Sequence, residues 1–280
     1  MRVTPTGSLY GGDMIEMGSA PNPSPWALLA VGAVAGLLSG VLGVGGGIIM
    51  VPLLTGALAF DQHRAHAHSL AAIVLIALSG ATGFALAGEI DPGVGLAIGL
   101  GGIVGSTVGA HLMHRLSPQA LRAVFGLIMI ATGVRMFWAG VVESGADLET
   151  VASLAIAVGI GLVAGVASGV AGIGGGVIMV PAMVFLLGMN QHIAEGTSLM
   201  AILFTAVAGT RVNLRNHRVD LRQAALIGVG GVIFALIGVQ FALGMSSETL
   251  TRVFGAFVAL VGVRMIVKLL RDRRNVPQAT

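Results

Sequence analysis

Four glycines in five residues open the decapeptide GVGGGIIMVP at 43–52, and the run returns as GIGGGVIMVP at 172–181. A helix that restarts after Gly47 or Gly176 aims its first backbone N–H groups, and the positive end of its dipole, into the gap before it. That arrangement holds an anion without a buried Lys or Arg. Gly45, Gly46, Gly47, Gly174, Gly175 and Gly176 are therefore candidate substrate-binding positions. A single glycine in an apolar helix is explained by close helix packing alone. Such density, repeated at matched positions, favours a site. No Lys-Ser/Thr follows the glycines, which argues against a P-loop.

A polar segment lies downstream of each run, Gln62-His63-Arg64-Ala65-His66-Ala67-His68-Ser69 against Gln191-His192-Ile193-Ala194-Glu195-Gly196-Thr197-Ser198. Ser69, Thr197 and Ser198 are small hydroxyls suited to contacting an oxyanion, and equally suited to capping a helix or bonding across helices. Gln62 and Gln191 either line the mouth of such a site or sit in water. The run from Arg211 to Arg222 is mainly an anchor, with Arg211 or Asn213 as the residues that would gather an anion at the mouth. His63, His66 and His68 have the close spacing of metal ligands. In the second copy, however, His66 becomes Glu195 and His68 becomes Thr197, while His111 and His114 become Gln240 and Leu243. Structural or peripheral histidines are expected, with no metal and no cofactor. The pair His66 and Glu195 is titratable, and its expected setting is an exposed loop. Ser39 and Ser168 sit in Ser-Gly pairs, but no duplicated His follows on a later span, so no enzyme is expected.

These groups must be positioned by a duplicated scaffold. Gly36 falls on Gly165, Ser39 on Ser168, Phe125-Gly126 on Phe254-Gly255 and Arg135-Met136 on Arg264-Met265 in one ungapped register. About a third of the positions between 36 and 138 are identical to their counterparts, a signal of internal repetition. Of the 280 residues, 55% are hydrophobic and 10% charged, with a mean hydropathy of +0.95, which marks an integral membrane protein. The apolar stretches are 26–60, 66–88, 93–114, 118–141, 151–189, 194–210, 222–243 and 249–270, and about 20 residues suffice to cross a bilayer as a helix. Period-two alternation is missing, which argues against a barrel. There is no cysteine, so disulfides, thiolate sites and Cys nucleophiles are excluded. The basic residues follow the membrane edges rather than forming a nucleic-acid patch.

The stretches 26–60 and 151–189 are too long for one span and are expected to form two short helices each, broken at the glycines and at Pro52 or Pro181. Both ends of such a hairpin return to one side, whether it is re-entrant or crosses fully. With three further spans each repeat crosses an odd number of times, so the repeats are inverted. Inversion with cytoplasmic termini leaves only Arg135 and Arg252 outside; eight simple spans would also expose Arg64, Arg115 and Arg122. The loop Gly88-Glu89-Ile90-Asp91 matches His217-Arg218-Val219-Asp220, opposite in charge as loops on opposite faces should be. The expected class is an all-α polytopic membrane protein with two inverted-topology repeats, each a Gly-broken hairpin plus three transmembrane helices. Its parts are a disordered tail (1–25), repeat 1 (26–141), an extracytoplasmic linker (142–150), repeat 2 (151–270) and a cytoplasmic tail (271–280).

The doubled glycine motif, followed by a helix with His-Ser-Leu or Thr-Ser-Leu and by Arg-x-x-Phe-Gly at 122–126, resembles the TauE/SafE sulfite exporter family over residues 30 to 270. The resemblance implies a secondary transporter, with export the expected direction, for small sulfur-containing or organic anions such as sulfite or sulfoacetate. It implies "anion" more strongly than "sulfite". Gly196-Thr197-Ser198 keeps the family pattern, whereas Ala67-His68-Ser69 departs from it, so the first half of the site is expected to be retuned. Two other readings stay open, a divalent-cation transporter using His63, His66 and His68 and a membrane assembly factor that transports nothing. The expected partners are a small anionic solute and the lipid bilayer of a bacterial inner membrane, without nucleic acid; a homo-oligomer is compatible with the sequence.

Overall fold

A computed structural model describes residues 23–112, 118–139, 150–171, 175–216 and 219–274, and among these every element is a helix. The first five are α1 (Pro25–Leu42), α2 (Gly47–Ala57), α3 (Gln62–Leu86), α4 (Pro92–Leu112) and α5 (Pro118–Ala139). Their counterparts are α6 (Thr150–Ala171), α7 (Gly176–Leu186), α8 (Gln191–Arg215), α9 (Leu221–Leu243) and α10 (Ser247–Arg274). The disordered reading of residues 1–22 and the linker reading of 142–149 fall outside the described residues.

Helix starts follow local chemistry. Pro25 occupies the first turn of α1, where its fixed φ suits the helix and its missing N–H costs nothing. Asp61, Asn190 and Asp220 cap α3, α8 and α9 by accepting backbone N–H groups of Arg64, His192 and Arg222. The first break is made by glycine geometry. Gly43, Gly45 and Gly46 have φ of +64°, +76° and +74°, which side chains rarely tolerate, and the Gly43 N–H closes α1 on Ser39 O.

The breaks differ from the sequence expectation in one respect. Among the described residues, α1, α3, α6, α8, α9 and α10 are long and apolar enough to cross a membrane; only α2 and α7 of the two broken stretches are short. The glycines fall late in each stretch and leave a full-length helix before them. Pro52 and Pro181 interrupt nothing: each lies inside its short helix, where the Thr55 hydroxyl donates to Val51 O in α2.

Packing partners are exchanged between the repeats. The most extensive interfaces join α1 to α9 and α4 to α6, followed by α5 with α10 and by α3 with α9 and α8. Small residues four apart make the first two seams: Gly32, Gly36 and Gly40 of α1 meet Ile227, Gly231 and Ala235 of α9 in ascending order, so these helices run parallel. Gly101 and Gly105 meet Val158 and Leu162 in the same sense between α4 and α6. By contrast, α3 and α8 run antiparallel, because Gly80 meets Leu199 while Gly209 meets Leu70. The same holds for α5 and α10, where Gly126 meets Ile266 and Gly133 meets Gly255. Large apolar side chains such as Trp26, Leu86, Trp138, Phe241 and Leu260 cover the outside, as a lipid-facing surface requires.

Candidate functional site

Buried polar side chains concentrate in the two matched segments. His68 and Ser69 in α3, and Gln191, His192, Glu195, Thr197 and Ser198 in α8, are all buried; outside these segments, only Ser39 and Thr251 join them among the described residues. The glycine breaks meet between those helices. A Cβ placed on Gly176 would stand 2.7 Å from Val44 Cα and 3.1 Å from Gly43 O, so one break rests on the backbone of the other. Ile202 of α8 wedges in, its Cδ1 2.8 Å from the same position and its Cγ2 2.9 Å from a Cβ on Gly45. Ser69 Oγ lies 3.5 Å from a Cβ on Gly47, which puts a hydroxyl at the start of α2.

Among the described residues, no side chain bonds to the N-terminus of α2 or α7. Gly46 O accepts from Ile49 and Met50, and Gly175 O from Ile178 and Met179. The two N–H groups that precede those bonds in each helix have no intrahelical acceptor. Beside α7 opens a cavity of about 100 Å³, lined among others by His66, Ser106, Ser168, Gly175, Met179 and Thr205. The Ser106 and Thr205 hydroxyls donate to Ile103 O and Ile202 O, which leaves their lone pairs to the cavity. His66 and Ser168 make no bond to another described residue and are the lining groups free to donate.

The predicted residues divide accordingly. Gly45, Gly46, Gly47, Gly175, Gly176 and Ser69 stand at the breaks, whereas Gly174 lies outside the described residues. Ser198 is fully buried in α8 and its Oγ has no partner among the described residues. Gln191 is buried and donates from Nε2 to Glu195 Oε1 at 2.8 Å, whereas its counterpart Gln62 is exposed. Arg211 is exposed, and half-buried Asn213 turns its amide back onto Gly209 O of its own helix; neither is brought to the breaks. The expected loop setting of His66 and Glu195 is corrected: both lie in the second turn of a long helix, His66 in the cavity wall and Glu195 with no exposed surface.

Thr197 and His68 have one job in two chemistries. Asp91 N–H donates to Thr197 Oγ1 at 2.9 Å, and the equivalent Asp220 N–H donates to His68 Nε2 at 3.1 Å. With Nε2 accepting, the His68 proton sits on Nδ1 and is donated to Arg64 O at 2.7 Å. Each residue thus ties the start of a helix of the other repeat, α4 for Thr197 and α9 for His68, to the core. His63 is exposed, and no group of three His, Asp or Glu among the described residues is placed to hold a metal. We therefore expect His68→Ala to lower stability by about 1–3 kcal/mol, because it removes a fully buried ring and the acceptor of a part-buried N–H, and His68→Thr to recover part of the loss. Thermal melting of the purified variants checks this; a zinc- or nickel-dependent rise in Tm that His68→Ala removes would restore the metal reading.

Sequence reasoning passed over Ser168, which lines the cavity, and its counterpart Ser39, although the duplicated Ser-Gly pair one turn before each break was the signal. Ser106 and Thr205 carry no such signal, since their counterparts are Ala235 and Ile76.

Comparison with known proteins adds the context. The family model described as sulfite exporter TauE/SafE matches residues 9–136 and 157–280. The chain is 30% identical over 240 residues to a probable membrane transporter protein of Xylella fastidiosa, covering 84% of this chain and 92% of that one. It is 24% identical over 262 residues to the probable membrane transporter protein YunE of Bacillus subtilis, covering 85% and 96%. A probable membrane transporter protein of Methanocaldococcus jannaschii is 22% identical over 256 residues, with 86% and 94% covered. No solved structure matches.

Proposed function

We propose, from the premise that this chain belongs to the sulfite exporter TauE/SafE family, that it exports a small sulfur-containing or organic anion, sulfite and sulfoacetate being the type substrates. The protein is a multi-pass membrane transporter. The observation that carries the anion reading is the contact of two glycine breaks at which two helices begin without a side-chain cap, next to Ser69 and a hydroxyl-lined cavity. Helix N-termini and hydroxyls recognise an oxyanion without the cost of burying a cation in the bilayer.

The antiparallel course of α3 with α8 and of α5 with α10 supports two inverted repeats. In parallel duplicates, equivalent helices would point the same way. Because α1 and α3 both run parallel to α9, α2 carries the chain back between them, and α1 begins on the side where α10 ends. Exposed Arg215, Arg222, Lys268 and Arg271 gather at that end, which supports cytoplasmic termini in the inner membrane. Alternating access then amounts to opening either half of the molecule around the meeting point of the breaks.

Two measurements test the reading. Sulfite or sulfoacetate at about a hundred times its Kd should raise apparent stability by about 2.7 kcal/mol, and Ser198→Ala should shrink the shift. Proteoliposomes should move at least one of these anions down an imposed gradient; absence of flux under every gradient would sink the proposal.

A further inference from the structure

Each repeat places one proton-exchanging side chain at the same point of its long helix, His66 in α3 and Glu195 in α8. The surroundings of the two differ. His66 faces the open cavity with Ser168 and Gly175. Glu195 is fully buried: its Cα and Cβ lie 2.6 Å and 2.7 Å from the place of a Cβ on Gly43, at the end of α1. Gln191 holds Oε1, and Oε2 is buried with no partner among the described residues. Ser39, the counterpart of Ser168, is likewise buried, its Oγ unpartnered among the described residues. It sits one turn before Gly43 on the same face of α1, beside the half-site that holds Glu195.

An unpartnered carboxylate oxygen inside a spanning helix is costly, and acidic residues there mark ion or proton pathways. Histidine and glutamate differ in shape, in the sign of their charged forms and in ligand preference; at this matched position they share the capacity to bind and release a proton. We propose that Glu195 is the group that couples solute movement to the transmembrane proton gradient, with His66 as its counterpart in the other half. The proposal rests on the transporter reading above. In the step itself a lone pair of the Glu195 carboxylate takes a proton from hydronium in water that enters when the Ser39 half-site opens, leaving a carboxylic acid and water; the reverse step returns it.

Among the described residues, the neighbouring elements leave Glu195 without a fixed counter-ion. Neither α1 nor α7 carries an ionisable residue, and α3 has none beyond His68. On α8 itself the ionisable residues are His192 in the first turn and Arg211 and Arg215 at the far end. The loop before α4 brings half-buried Glu89 and Asp91, with Glu89 O against Gly196. On α10, Glu248 and Arg252 pair with each other at the surface, and Arg264, Lys268 and Arg271 lie toward its other end. Glu89 and Asp91 thus stand between Glu195 and the outer water.

Difference infrared spectroscopy of the full chain in liposomes, between acid and alkaline pH, should show a carboxylic-acid C=O band that Glu195→Gln removes. In proteoliposomes, a pH gradient should accelerate wild-type sulfoacetate flux tenfold or more. Glu195→Gln should bring that ratio to about one, and Glu195→Asp should restore it in part. A missing band, a Glu195→Gln flux still driven by the pH gradient, or a flux driven by sodium and indifferent to pH would each overturn the assignment. A wild-type protein that shows the band yet moves neither sulfite nor sulfoacetate would instead sink the anion reading and support the proton site by itself.

Discussion

Gly36→Val should leave no folded protein to purify. A Cβ on Gly36 falls on the backbone of Gly231, 2.7 Å from its Cα and 2.8 Å from its carbonyl carbon, and backbone cannot swing aside as a side-chain tip does. Gly231 is locked in turn, since Gly32 O lies 2.9 Å from its own Cβ position. Overpacking a filled core costs about 1–3 kcal/mol where side chains can yield. Here the whole α1–α9 seam must separate, at a cost comparable with a typical total stability of about 5–15 kcal/mol. Size-exclusion profiles of solubilised membranes should lose the monodisperse peak. Gly159→Val is the control, because a Cβ there meets nothing within 4 Å, and its peak should match the wild type. A Gly36→Val protein that melts with the wild type would show that the seam is looser than its geometry.

Gly175→Val should keep the fold and lose at least tenfold in anion flux. Its φ of −66° suits any residue, and a Cβ meets Met179 Cε at 2.6 Å and Sδ at 3.4 Å, the movable end of a flexible side chain. The three added carbons, and Met179 displaced by them, would fill much of a cavity of about 100 Å³. Gly176→Val, one residue on, strikes the Val44 backbone and should behave like Gly36→Val. Melting curves together with proteoliposome flux separate the outcomes. Wild-type flux in Gly175→Val would take the cavity off the transport path.

The duplication made the breaks and the interior position of Ser69 and Ser198 legible, because each is fixed by local residue types that occur twice, whereas the caps fall to Asp61 and Asn190 rather than to those hydroxyls. What depends on a neighbour distant in the chain was hidden. Gln62 and Gln191 are the same residue at the same position, yet α10 covers only the described surroundings of Gln191, where Thr251 Oγ1 approaches Gln191 Oε1 at 3.5 Å. Glu195 looked like a surface carboxylate within a polar segment; its burial comes from the end of α1 arriving at Gly43. The shared role of His68 and Thr197 was hidden for a related reason, since an acceptor is defined by where a distant N–H lands.

A ribosome delivers α1 long before α9 exists. Since α1 rests on α9 and α4 on α6, the leading five helices enter the bilayer with their glycine faces bare, and they acquire a native interior only as the trailing five arrive. Neither repeat is a folding unit. A chain released between α5 and α6 has nothing to close upon, because α6, α9 and α10, the partners of α4, α1 and α5, are missing. The leading and trailing halves synthesised as separate chains still hold complementary surfaces, and assembly in trans is the natural route by which they regain a common core.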